Sequence, residues 1–205
     1  MTNTTTKYSF TAKWIWLLFL IIIPSTVFGL LSHETISGII PVFGTIGNIG
    51  KTACSLLYGL ILIKLSSEYD YYKAAGITYI LSILVSFVEA NNYIGSSLFV
   101  SLVAIILVIA STYFEFTGHA DILSKEDYLI SSKWDKLKKW AIILYAITLI
   151  SAIFIFFLPI LTILNTLVSI IGIFVVEIIK FVYLYKTAKF FKKIAGEDNV
   201  SRETL

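Results

Sequence analysis

The sequence predicts an all-α, polytopic membrane helix bundle. It has about six transmembrane helices, both termini in the cytoplasm, and a short amphipathic helix on the cytoplasmic face. Three observations lead there. Apolar residues make up 58% of the 205-residue chain and charged residues 14%, where ordinary soluble domains run at about 45–50% and roughly 25%. Mean hydropathy is +0.88, more apolar surface than a water-soluble fold of this length can hide and no burden in lipid. Six apolar stretches can be drawn, at about 14–31, 45–65, 74–90, 94–114, 140–157 and 160–185. Finally, if the N-terminus is cytoplasmic, six crossings put all 16 basic residues except Lys51 in cytoplasmic segments or at their flanking helix ends. Lysine and arginine resist translocation and mark the cytoplasmic side. Five or seven crossings would break that bias. Residues 1–205 therefore read as one transmembrane domain.

The first span follows Lys7 and Lys13 and runs through Pro24 to Leu31. Its basic lead and apolar run invite comparison with a signal peptide, but the apolar run outlasts Pro24 and no small-x-small cleavage site follows. The second span is irregular. Residues 36–50 are apolar but glycine-rich, with Pro41 among them. A helix starting at Thr52 would be too short to cross, so it must start near Phe43 or near Asn48. The early start carries Lys51 inward. The late one leaves residues 36–47 as an interfacial or re-entrant piece, tolerated at depth only against protein or water. The same glycines also suit close helix packing in lipid, and Ser55 and Gly59 add a small-xxx-small pair.

The third span and the fourth are ordinary. Between the fourth and fifth lies a cytoplasmic loop, 115–139. It holds two capping-box patterns, Ser124 with Asp127 and Ser132 with Asp135. Ile130, Trp134 and Leu137 fall at helical spacing with Lys133, Lys136 and Lys139 on other faces. That pattern reads as an amphipathic helix on the inner leaflet, or as an early start of the fifth span. The fifth and sixth spans meet at a turn, Leu158-Pro159. Trp14, Trp16, Tyr71, Tyr72, Tyr113, Trp134, Trp140, Tyr183 and Tyr185 fall at or near the cytoplasmic interface, where amphipathic rings collect.

Ionisable residues inside spans are costly and so are candidate functional groups. Glu177 lies in the sixth span, with Lys180 three residues on along the same face. The two form either a local intrahelical ion pair or a carboxylate facing a polar path. On the outer side His33, Glu34, Lys51, Glu89, Asn91 and Asn92 can converge, with Lys51 pairing Glu89. On the inner side Glu115, His119 and Asp121 close the fourth span. Glu115 and His119 share a face if the helix continues, which Gly118 puts in question. These groups are too few for a metal site, and no metal is expected. The single cysteine, Cys54, excludes an intrachain disulfide and a four-cysteine zinc site.

There is no His-Glu-x-x-His, no Gly-x-Ser-x-Gly elbow and no phosphate-binding loop. An enzyme is not expected, nor a cofactor. The basic residues spread along one membrane face, unlike a nucleic-acid footprint, and suit anionic lipid headgroups.

Three stretches carry a resemblance: Tyr113-Phe114-Glu115-Phe116-Thr117-Gly118-His119, Lys133-Trp134-Asp135-Lys136-Leu137-Lys138-Lys139-Trp140 and Val182-Tyr183-Leu184-Tyr185-Lys186-Thr187-Ala188. Across the C-terminal half the chain resembles small multipass membrane proteins of bacteria, a group with no assigned function. The resemblance implies a bacterial cytoplasmic membrane and no activity. Two functions fit the residues. One is a small-solute or ion translocation component, either a channel or transporter or the membrane subunit of one. The other is a non-transporting scaffold, sensor or immunity-type protein acting by helix–helix contact. The partners expected are the lipid bilayer and either further copies of the chain or another membrane protein.

Overall fold

A computed structural model gives the architecture and describes residues 3–90, 98–154 and 159–203. Its elements are all α-helices: α1 Asn3–Leu31, α2 Glu34–Ser37, α3 Pro41–Leu65, α4 Asp70–Ala90, α5 Leu98–Leu123, α6 Tyr128–Phe154 and α7 Pro159–Glu203. Five of them, α1, α3, α4, α5 and α7, are long and apolar enough to cross a membrane. The described apolar part of α6 starts only at Trp140, after Lys133, Lys136, Lys138 and Lys139.

The six long helices close into a ring. In order around it, α1 packs on α3, α3 on α4, α4 on α5, α5 on α6, α6 on α7, and α7 returns to α1. Neighbours are antiparallel. The closing pair shows it, since Tyr8 stacks on Phe191 while Phe19 stacks on Phe181. Each helix therefore has one end at a lysine-rich rim, where α1, α4 and α6 begin and α3, α5 and α7 end. The most deeply buried side chains lie there. Ile15, Leu18, Leu62, Leu65, Tyr72, Phe116, Leu123, Trp134 and Leu184 are each essentially sealed from solvent. In lipid such packing, rather than water exclusion, holds helices together.

Several expectations change on contact with the fold. Residues 41–50 are helical, whereas the sequence left 36–47 open to a non-helical reading. Glu34–Ser37 form one turn, and α3 then runs unbroken from Pro41, earlier than either start considered. Pro41 opens the helix instead of interrupting it. At the first helical position its missing N–H has no partner to lose and its fixed φ is already helical. The glycines then serve packing. A Cβ on Gly47 would lie 2.5 Å from the Ser32 nitrogen and 2.8 Å from the Phe28 carbonyl oxygen at the end of α1.

The 115–139 loop is also corrected. α5 continues through Gly118 to Leu123 and α6 begins at Tyr128, so the connection is the short turn 124–127. The amphipathic segment is the first part of α6, not a separate surface helix. Its apolar stripe faces the ring, with Trp134 and Leu137 buried. Of the two capping patterns, only the first start is used. Asp127 accepts from the Ile130 backbone N–H at 3.0 Å, satisfying one free amide of the helix start. Ser124 instead donates to the Asp121 carbonyl at 2.8 Å. Ser132 and Asp135 lie inside α6, where Asp135 takes Lys138 at 2.7 Å. The Leu158-Pro159 turn lies largely outside the described residues.

Candidate functional site

Glu115 lies on α5 where the helix faces the middle of the ring, and two helices that do not neighbour α5 reach it. Tyr58 of α3 donates its hydroxyl to Glu115 Oε1. Lys180 of α7 brings Nζ to 3.0 Å from Oε1 and donates to Oε2 at 3.1 Å. The ammonium also sits 4.9 Å from the centre of the Tyr58 ring and 5.6 Å from that of Phe116, a cation–π contact on two sides. All three side chains are buried. A buried carboxylate or ammonium is tolerated only when paired and hydrogen-bonded, and here each meets that need through the other. The result is a three-spoke tie across the ring.

A second layer lies beside it toward the lysine-rich rim. His119 follows Glu115 by one helical turn, its Nε2 3.7 Å from Glu115 Oε1. Its Nδ1 is hydrogen-bonded to the Tyr72 hydroxyl at 2.8 Å. If Tyr72 donates there, the imidazole proton sits on Nε2, facing the carboxylate. Nε2 is buried with no hydrogen bond closing on it. Trp134 stacks on the imidazole, with ring centres 4.4 Å apart, and donates its indole N–H to Thr187 of α7 at 3.1 Å. Gly118 makes this layer possible. A Cβ there would lie 3.0 Å from the Tyr72 ring, so glycine lets the tyrosine close on α5.

Away from the rim, above the Glu115–Lys180 tie, the ring encloses a cavity of about 790 Å³. All six long helices line it, with Ser25 of α1, Tyr58 of α3, Tyr79 of α4, Glu115 of α5, Tyr145 of α6 and Lys180 of α7 among the contributors. That volume lies within the usual range for small-molecule sites, roughly 300–1,000 Å³. Its walls are mainly apolar, and its charged groups are Glu115, Lys180 and Glu177. Cys54 lines it too.

The cavity has a side opening. The ring contacts between α1 and α7, Tyr8 on Phe191, Trp16 on Tyr185 and Phe19 on Phe181, all lie in the rim half. Farther along the seam, lining residues face outward: Val27 of α1 is 51% exposed and Phe174 of α7 is 66% exposed.

The candidate residues are distributed as follows. Glu177 and Lys180 both line the cavity, but no ion pair joins them; Lys180 reaches across the ring to Glu115 instead. A one-turn intrahelical pair contributes only about 0.2–0.5 kcal/mol, whereas the buried ammonium gains a two-oxygen carboxylate and two ring faces on the far side. Glu115 and His119 come together as the helix-face argument requires. Asp121 does not join them and is exposed. On the other end of the bundle, His33 caps α2 by accepting from the Thr35 amide at 3.4 Å, and Glu34 sits in that helix's first turn. Lys51 is exposed on α3. Asn91, Asn92 and the Glu89 side chain, and with them the Lys51–Glu89 pairing, lie outside what the structure describes. Among the described residues no three His, Cys, Asp or Glu form a metal-holding group.

Tyr58, Tyr79 and Tyr145 belong to no motif in the sequence, and Tyr72 and Trp134 fit an interfacial belt by position alone. Both are fully buried. Tyr58, Tyr79 and Tyr145 fall well inside apolar spans, away from any belt. A phenol there needs a partner for its hydroxyl, which was the available signal. The chain matches no protein-family profile, no curated protein and no solved structure.

Proposed function

We propose that the chain is a small translocation component with six membrane crossings, α6 among them. Its lysine-rich rim and both termini face the cytoplasm of a bacterial cell, and the central cavity is the passage. One observation carries the reading: every long helix of the ring contributes to a cavity whose floor is a buried ion pair. A structural bundle has no use for such a floor, since a buried salt bridge adds little stability over apolar packing of the same volume. The tie is instead a gate that opens when Tyr58, Glu115 and Lys180 part. The lysines at the rim rest on anionic lipid headgroups. No step of bond-making chemistry is assigned to the site.

Cys54 provides the test, being the single cysteine and a lining residue of the cavity. In oriented membrane vesicles, a small membrane-impermeant thiol reagent should modify Cys54 when added from either face. Labelling from one face only, under all conditions, would leave the cavity a dead end and sink the translocation reading.

A second reading draws on α7, whose half farther from the rim is exposed and apolar at Ile163, Leu164, Leu167, Ile170 and Ile171. That surface suits a second copy or another membrane protein, as a scaffold or sensor would need. Native mass spectrometry of gently extracted protein would reveal a stable foreign partner under this reading, and only copies of the chain under the first.

A further inference from the structure

We propose that the cavity binds a lipophilic organic monocation, an ammonium or phosphonium carried on an apolar body, with Glu177 as its counter-ion. The inference deepens the translocation reading by naming its substrate class. The charged groups lining the cavity are Glu115, Lys180 and Glu177. The first two neutralise each other at 3.0 Å. Glu177 is left with no ion pair or hydrogen bond among the described residues, one turn along α7 from Lys180. The lining thus has a formal charge of −1, from two carboxyl groups and one amine, in mainly apolar walls. An unpaired charge beside apolar surface is costly, and a bound cation offsets that cost where an anion or a neutral solute would not.

The walls agree with the charge. Tyr79 and Tyr145 line the cavity, and aromatic faces attract a cation that is weakly hydrated. The Tyr58 face is already taken by Lys180. The apolar body has its own route, because the open α1–α7 seam is edged by the exposed side chains of Val27, Phe174 and Ile178. A ligand dissolved in hydrocarbon can enter there without crossing the packed rim.

The experiment is calorimetric titration of the purified protein in detergent with tetraphenylphosphonium, and separately with tetraphenylborate, an anion of nearly the same shape, against empty micelles. The phosphonium should bind and the borate should not. Glu177→Gln should weaken the phosphonium by about tenfold or more, and Glu177→Asp should keep most of the binding. Glu177 is exposed, so both variants should fold, and their melting curves would verify it. Equal binding of the two ions would reduce the cavity to an apolar void and overturn the proposal. So would absence of binding, or an unchanged affinity in Glu177→Gln. Binding as expected combined with one-sided labelling of Cys54 would uphold the ligand class while removing the translocation reading, so the two fail separately.

Discussion

Glu115 holds the centre of the molecule because its carboxylate meets three side chains at once. It neutralises Lys180, takes the Tyr58 hydroxyl and lies 3.7 Å from Nε2 of His119. Removing one member of such a set leaves the other charge buried and unpaired, which costs about 3–5 kcal/mol. Glu115→Ala or Lys180→Ala should therefore lower the unfolding midpoint sharply in detergent melts. Glu115→Leu combined with Lys180→Met should recover most of the loss, since an apolar pair of similar volume leaves no stranded charge. If the double variant is as unstable as the single ones, the pair is held for some reason other than mutual neutralisation. The residue scale is also where the sequence was least legible. The i, i+4 spacing of Glu115 and His119 was readable, but Lys180 had an acid three residues away and its real partner lies 65 residues distant in sequence. Which of two acids a lysine takes depends on ring closure, a property of the whole chain that no local window contains.

The helices meet through glycines, and the structure separates those that matter from those that do not. On α4, a Cβ at Gly76 would lie 2.7 Å from the Gly59 carbonyl oxygen and 2.9 Å from the Ile63 nitrogen, both backbone atoms of α3. Backbone gives way only by moving the helix, so Gly76→Ala should cost about 1–3 kcal/mol, the usual penalty of overpacking. Gly29 has nothing within 4 Å. There the same substitution should be neutral or slightly stabilising, because alanine is the better helix former. Paired thermal melts of the two variants test the contrast, and equal effects would mean that α3 and α4 are not held at this separation. Element existence was readable from the apolar stretches, whereas element ends were not. The sequence predicts a second span starting after Pro41, and Gly118 puts the continuation of the fourth in question. Pro41 instead starts a helix, where its own local geometry fits, and tertiary contact makes use of Gly118 by admitting the Tyr72 ring.

For the whole molecule, the decisive quantity is the asymmetry between its two ends. The rim half is sealed by aromatic and aliphatic packing and carries Lys125, Lys133, Lys136, Lys186, Lys189 and Lys192. The opposite half is looser, holds the cavity and exposes Lys51. Charge bias and packing bias point the same way, so one labelling experiment addresses both. In a Cys54→Ser background, Asn92→Cys should react with a membrane-impermeant thiol reagent in intact cells, because α4 starts at the rim and ends at Ala90, away from it. Lys125→Cys should react only after the membrane is opened. Lys125 suits the purpose because it is exposed in the turn between α5 and α6, whereas Ser131 in the same region is buried with its hydroxyl on the Ala120 carbonyl and would stay silent for steric reasons. Reaction at Lys125→Cys in intact cells, with silence at Asn92→Cys, would invert the molecule. The lysines would then face outward, against the bias that basic residues impose on insertion. The tie of Tyr58, Glu115 and Lys180 would then lie toward the outer side of the cavity instead of the inner.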